Sequence, residues 1–139
     1  VLSMTASNIL EFGPRKPKLD PIIYRATIAN YEVLANCNTP YGLRNKVLVT
    51  FEVEKPTGTG FEMVSIRQSY LVSNHPGSMF DKLVFGVTGH PVGKRFDLNS
   101  LLGAEVMIQI KHNVTADGDT YDNVDSVWRE SLDLTQGQI

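Results

Sequence analysis

The chain has 139 residues, 42% of them hydrophobic, which fits one domain around one buried core. Its 13 lysines and arginines against 15 aspartates and glutamates give a formal charge of −2, so it lacks the overall basic field of a protein that coats polyanions indiscriminately, and any nucleic-acid site has to be a local patch. A single cysteine, Cys37, excludes an internal disulfide framework, and no run approaches the ~18 consecutive apolar residues of a membrane span, so the expectation is a soluble cytoplasmic protein without a membrane partner.

Residues 1–21 are polar or proline-rich, with Pro14, Pro17 and Pro21 and a basic group of Arg15, Lys16 and Lys18. They read as an extended N-terminal arm, either a solvated leader or a tail that contacts phosphates. Ile22 to Leu34 forms a first strand, with Tyr24, Ala26 and Ile28 on one face and Arg25, Thr27 and Ala29 on the other. Ala35 to Asn45 follows as a loop, since Asn36, Asn38, Pro40 and Gly42 all favour turns. Tyr41 and Arg44 sit in it, placed either to stack a base and hold a phosphate or to lie against the core.

Lys46 to Glu54 is the clearest strand, Val47, Val49, Phe51 and Val53 alternating with Leu48, Thr50, Glu52 and Glu54. Pro56 to Gly60 breaks it, and Phe61 to Leu71 returns as a third strand with Val64 and Ile66 inward and Ser65, Arg67 and Ser69 outward. After Ser73-Asn74-His75-Pro76-Gly77 the period changes. Ser78-x-x-Asp81 resembles a capping box, and Met79, Leu83, Val84 and Val87 fall on one face of a helix from Met79 to Val87, weakened by Gly86 and ended by Gly89 and Pro91. Asp97 is an expected N-cap for a single turn from Leu98 to Leu102. A hairpin then closes the chain. Val106, Ile108 and Ile110 alternate with Met107, Gln109 and Lys111, Asp117-Gly118 marks the turn, and Thr120 to Trp128 returns. Tyr121, Val124 and Val127 are three apart, so a bulge near Asn123 is needed to put them on one face. Residues 130–139 lose the pattern and read as a flexible tail.

Three strands, a helix and two strands is the element order of a five-stranded OB-fold-like Greek-key barrel, all-β with one helix between strands three and four. The rival is a β-sandwich that has acquired one helix. A single domain over 22–129 is expected between the arm and the tail. Certain segments also carry a family likeness: Asn38 to Gly42, the Val47 strand, Phe96-Asp97-Leu98 to Leu101-Leu102-Gly103, Ile108-x-Ile110-x-His112, Asp117-Gly118 and Tyr121-x-Asn123-Val124. In this spacing the chain, from Tyr24 to Trp128, resembles small proteins encoded by bacteriophages and integrated mobile elements beside replication and recombination genes. That resemblance implies the fold of single-stranded-DNA-binding proteins and supplies no catalytic residue.

Other chemistries fail on spacing. In Gly86-Val-Thr-Gly-His-Pro-Val-Gly-Lys-Arg, Gly89 lies too close to Gly93 for a phosphate loop, and Arg95 stands where a magnesium-binding hydroxyl is required. Cys37, His75, His90 and His112 are scattered rather than paired at zinc spacing, and Asp117, Asp119 and Asp122 lack the remaining positions of a calcium loop. No nucleophile elbow is present. No cofactor, metal or enzymatic activity is therefore expected. Single-strand binding needs only a basic groove and stacking faces on a barrel, and strand parity projects Lys46, Thr50, Arg67 and Ser69 outward. Tyr41 and Arg44 flank them from one loop, Lys111 and His112 from near another, and Arg25 extends the patch; Glu52, Glu54 and Glu62 oppose it. The expected partner is single-stranded DNA. The alternative is a non-enzymatic phage structural or adaptor protein that uses the barrel to associate with itself or another phage protein, through outward apolar residues such as Leu48 and Met63.

Overall fold

The structure, a computed structural model, describes residues 9–129; the expected tail 130–139 and the arm's first residues, 1–8, lie outside the described residues. Five strands, β1 (Ile23–Thr39), β2 (Gly42–Thr57), β3 (Gly60–Leu71), β4 (Glu105–Val114) and β5 (Thr120–Trp128), form one antiparallel sheet in the order β3-β2-β1-β4-β5. The helix α1 (Met79–Thr88) falls between the third and fourth strands, and a 3₁₀ turn (Leu98–Leu101) precedes β4. The protein is thus mostly β among the described residues, with a single α-helix. Among the described residues no backbone ladder joins β3 to β5, and no helix is long and apolar enough to cross a membrane.

Period-two alternation builds the core. Val47, Val49, Phe51 and Val53 of β2 are fully buried, beside Tyr24, Ala26 and Ile28 of β1 and Val106, Ile108 and Ile110 of β4. Each of the Val, Ile and Phe side chains contributes about 1.5–3 kcal/mol by leaving water. An unpaired Ala29 shifts the register between Ile28 and Asn30, so the next β1 side chain packed against the core is Tyr31, opposite Val49, while Val33, opposite Val47, is exposed.

The stretch expected as a loop, Ala35 to Asn45, is instead the continuation of β1 and β2 into a projecting ribbon. Its turn-favouring residues have different work. A second register shift separates Leu34 opposite Lys46 from Cys37 opposite Arg44, with Asn36 at φ 54° and its N–H donated to Asn45 Oδ1 at 3.2 Å. The Thr39 hydroxyl accepts from Tyr41 N at 3.0 Å and donates to the Gly42 carbonyl at 2.7 Å, closing the tip. Asparagine, proline and glycine therefore mark a bulge and a tight turn inside one hairpin.

On β5 the break falls between Gln109 opposite Ser126 and Ile110 opposite Val124, leaving Asp125 as the extra residue, two positions beyond Asn123. Val124 and Val127 both turn into the core, as required, but Tyr121 does not join them and stays on the outer side. Helix α1 buries Phe80, Leu83, Val84 and Val87, the i, i+3, i+4, i+7 face; the expected Met79 is 48% exposed, because the face counts from Phe80. Ser78 Oγ caps it by accepting from Asp81 N at 3.2 Å, and the Asp81 carboxylate reaches across to Val92 N at 3.0 Å. Gly86 is more than a weak helix former. A Cβ there would stand 2.0 Å from the Val127 carbonyl oxygen, so the helix meets β5 backbone against backbone.

Candidate nucleic-acid interface

Since the odd residues of β2 fill the core, its even residues line the outer face. Thr50 lies directly opposite Arg67 of β3, Leu48 opposite Ser69 and Glu52 opposite Ser65. The Ser65 hydroxyl donates to the Glu52 carboxylate. This face carries Arg44, Lys46 and Arg67 and turns acidic toward the β2–β3 turn at Glu52 and Glu54, while Glu62, opposite Lys55 and 3.9 Å from its Nζ, lies on the other face. None of Arg44, Lys46 and Arg67 forms an ion pair with a described residue.

Tyr41, Arg44 and Ser69 share one groove of about 630 Å³, completed by Ser73, His75 and Met79. Tyr41 is 71% exposed, so its ring is open to a stacking partner. Tyr70 lies beneath, 4% exposed, and burial pushes its phenol well above the ordinary value, so it is neutral at physiological pH. Burial likewise raises Tyr24, whose hydroxyl oxygen accepts from Asp20 N at 2.9 Å. Arg44 also lines a neighbouring groove of about 460 Å³ with Phe96 and with Lys94 and Arg95, the basic end of the segment that fails as a phosphate loop.

Three of the sequence-selected residues stand apart. Arg25, opposite Met107, lines a separate groove of about 590 Å³ with Ser100, Glu105 and Arg129 and does not extend the patch on β2 and β3. Lys111 is ion-paired with Asp125 at 3.3 Å. The Nε2 of His112 is 2.7 Å from the Leu19 carbonyl oxygen and 3.6 Å from the Asp122 carboxylate, which makes it a fastening for the arm.

That fastening is extensive. Asp119 Oδ1 accepts from Arg15 N at 2.7 Å, and the two carboxylate oxygens of Asp122 accept from Lys18 N at 2.7 Å and Leu19 N at 3.2 Å. Thr120 N donates to the Arg15 carbonyl at 2.8 Å, and the Leu19 side chain, 2% exposed, enters the core. Two of the acids weighed as calcium ligands thus hold backbone N–H groups, and among the described residues no three His, Cys, Asp or Glu side chains gather as a metal site. Pinned this way, Arg15, Lys16 and Lys18 line a groove of about 310 Å³ with Arg67 of β3 and Tyr121 of β5. The Arg15 guanidinium carbon sits 5.1 Å from the centre of the Tyr121 ring. Contacts between positions more than a hundred residues apart leave no local spacing to read; the one hint is Leu19, a lone apolar residue in a charged, proline-rich run.

No protein-family model matches the chain, and no curated protein matches it.

Proposed function

We propose that the chain is an OB-fold protein that binds single-stranded nucleic acid, DNA first, and catalyses no reaction on it. The observation that carries this reading is the groove shared by Tyr41, Arg44 and Ser69, one exposed aromatic face beside a cation, with the opposed pair Thr50 and Arg67 next along the same face. Stacking plus backbone neutralisation is the chemistry of sequence-tolerant single-strand binding. The OB-fold assignment draws support from the strand order, from the place of α1 between β3 and β4, and from Gln68, which bridges the open edges of β3 and β5 as a partly open barrel allows. The resemblance to phage and mobile-element proteins suggests a setting: replication or recombination of such an element in a bacterial cytoplasm. The test is fluorescence anisotropy with a labelled oligonucleotide, single-stranded and as a duplex. Binding of the single strand at least ~10-fold tighter is expected, and equal or absent binding removes the reading.

A second reading, self-association or docking to another phage protein, rests on Phe61 and Met63, 60% and 51% exposed on β3, whose outer edge pairs with no described strand. Sedimentation equilibrium distinguishes it: a monomer at micromolar concentration argues against self-association.

A further inference from the structure

We infer that the arm is a built part of the binding surface: Arg15, Lys16 and Lys18, with Arg67, clamp the sugar-phosphate backbone of a single strand across the opening between β3 and β5. This rests on the single-strand reading and extends its track beyond the face of β2 and β3.

Placement comes first. The arm's backbone is tied at Arg15, Lys18 and Leu19 to Asp119 and Asp122, so the intervening side chains are held at the groove instead of trailing in solvent. Ordering a flexible basic tail on binding costs affinity, and here much of that ordering is already done by the fold. Charge comes second. Four cations meet in one groove, and the carboxylate that lines it, Asp122, has both oxygens engaged by backbone N–H groups. The Arg15 guanidinium carbon lies 5.1 Å from the centre of the Tyr121 ring, and this contact with the aromatic ring holds its positive charge at the groove.

Continuity is the third argument. Arg67 belongs both to this groove and to the outer face, opposite Thr50, so a strand that leaves Tyr41 and Arg44 along β3 reaches the arm through Arg67, while the nearest outer-face acid, Glu52, accepts a hydrogen bond from Ser65 at the groove's edge. Lined by charged and polar groups with Ile66 and Tyr121 alone as larger apolar surface, the groove lacks the deep apolar pocket that anchors a peptide.

The test measures binding of a labelled oligothymidylate by wild type, by Lys16→Ala/Lys18→Ala and by Asp122→Ala, with melting by circular dichroism as the check on folding. Lys16 and Lys18 are exposed, so their truncation spares the core. The double variant is expected to bind about tenfold more weakly at low salt, with a salt slope reduced by roughly 1.4, two contacts at ~0.7 each. Asp122→Ala gives the opposite sign from simple electrostatics: removing a negative charge beside a basic groove would tighten binding, whereas releasing the arm weakens it, and weakening is expected. If wild type binds and Lys16→Ala/Lys18→Ala keeps its affinity and slope, or if folded Asp122→Ala binds more tightly, the clamp is overturned while the single-strand reading stands. Polyglutamate that matches the oligonucleotide's affinity and loses it in the double variant also overturns it, in favour of an acidic protein partner. Wild type that binds no single strand removes both.

Discussion

Gln68 on β3 accepts the backbone N–H of Val124 on β5 through Oε1 at 2.9 Å, spanning the two open edges of the sheet. It belongs to a set that covers the outer edge of β5 and its following residue. Thr120 N is taken by the Arg15 carbonyl at 2.8 Å and Arg129 N by the Gly86 carbonyl at 3.0 Å. The arm, one side chain and the helix thus satisfy N–H groups that a continuous strand partner would otherwise take, which also guards the edge against pairing with another chain.

Gln68→Leu keeps the volume and removes the acceptor. It should cost about 1–3 kcal/mol in urea unfolding, the desolvation penalty of an orphaned N–H, and should speed hydrogen exchange at the Val124 amide before that of Val49. Unchanged protection at Val124 would show that water or a shifted strand replaces the bond.

Gly86→Ala should destabilise the protein by roughly 2–3 kcal/mol in the same assay, although alanine in an isolated helix is favoured by about 1 kcal/mol over glycine. The added methyl meets the rigid Val127 carbonyl, so α1 must lift from β5 and loosen Leu83 and Val87. A variant as stable as wild type would contradict this packing.

How far the fold could be read in advance is clear from particular residues. Alternation in Val47 to Val53 and Val106 to Ile110 put the core on the correct faces, because a strand with one wet side writes its register into its sequence. The Ser78 cap and the Asp97 turn were equally readable, both depending on residues within one turn. Asn36, Pro40 and Gly42 misled, since the residues that favour a loop also favour a bulge and a hairpin tip. Of the site, Ser69 follows from strand parity and Tyr41 and Arg44 from their place in the expected loop, and the three come together in one groove. The roles of Asp119, Asp122 and His112 were hidden, because what they hold is the backbone of an arm at the far end of the chain.

Stability should hold up to about pH 10 and fall above it. Burial raises the phenols of Tyr70 and Tyr24 above their ordinary 10.0, so in that range the folded state binds more protons than the unfolded state and stability drops as pH rises. Tyr70→Phe should remove the larger part of the alkaline loss in melting temperature between about pH 10 and 12. An identical alkaline slope in the variant would place the titrating group elsewhere.

Arg44→Ala/Arg67→Ala should weaken single-strand binding by about ten- to a hundredfold, equally for pyrimidine and mixed sequences, because the contacts are to the backbone. Lys82→Ala, which removes one positive charge from the exposed side of α1, serves as the comparison and should change affinity less than about twofold. Equal losses in the two variants would mean that overall charge, not the groove, governs binding.

The most direct measurement is the salt dependence of wild-type binding to a labelled single strand of about 16 nucleotides, titrated from roughly 50 to 200 mM salt. Four or five phosphate contacts at ~0.7 each predict sub-micromolar binding at the low end and a log-log slope near −3. No binding at the lowest salt, or an affinity indifferent to salt, would contradict the account.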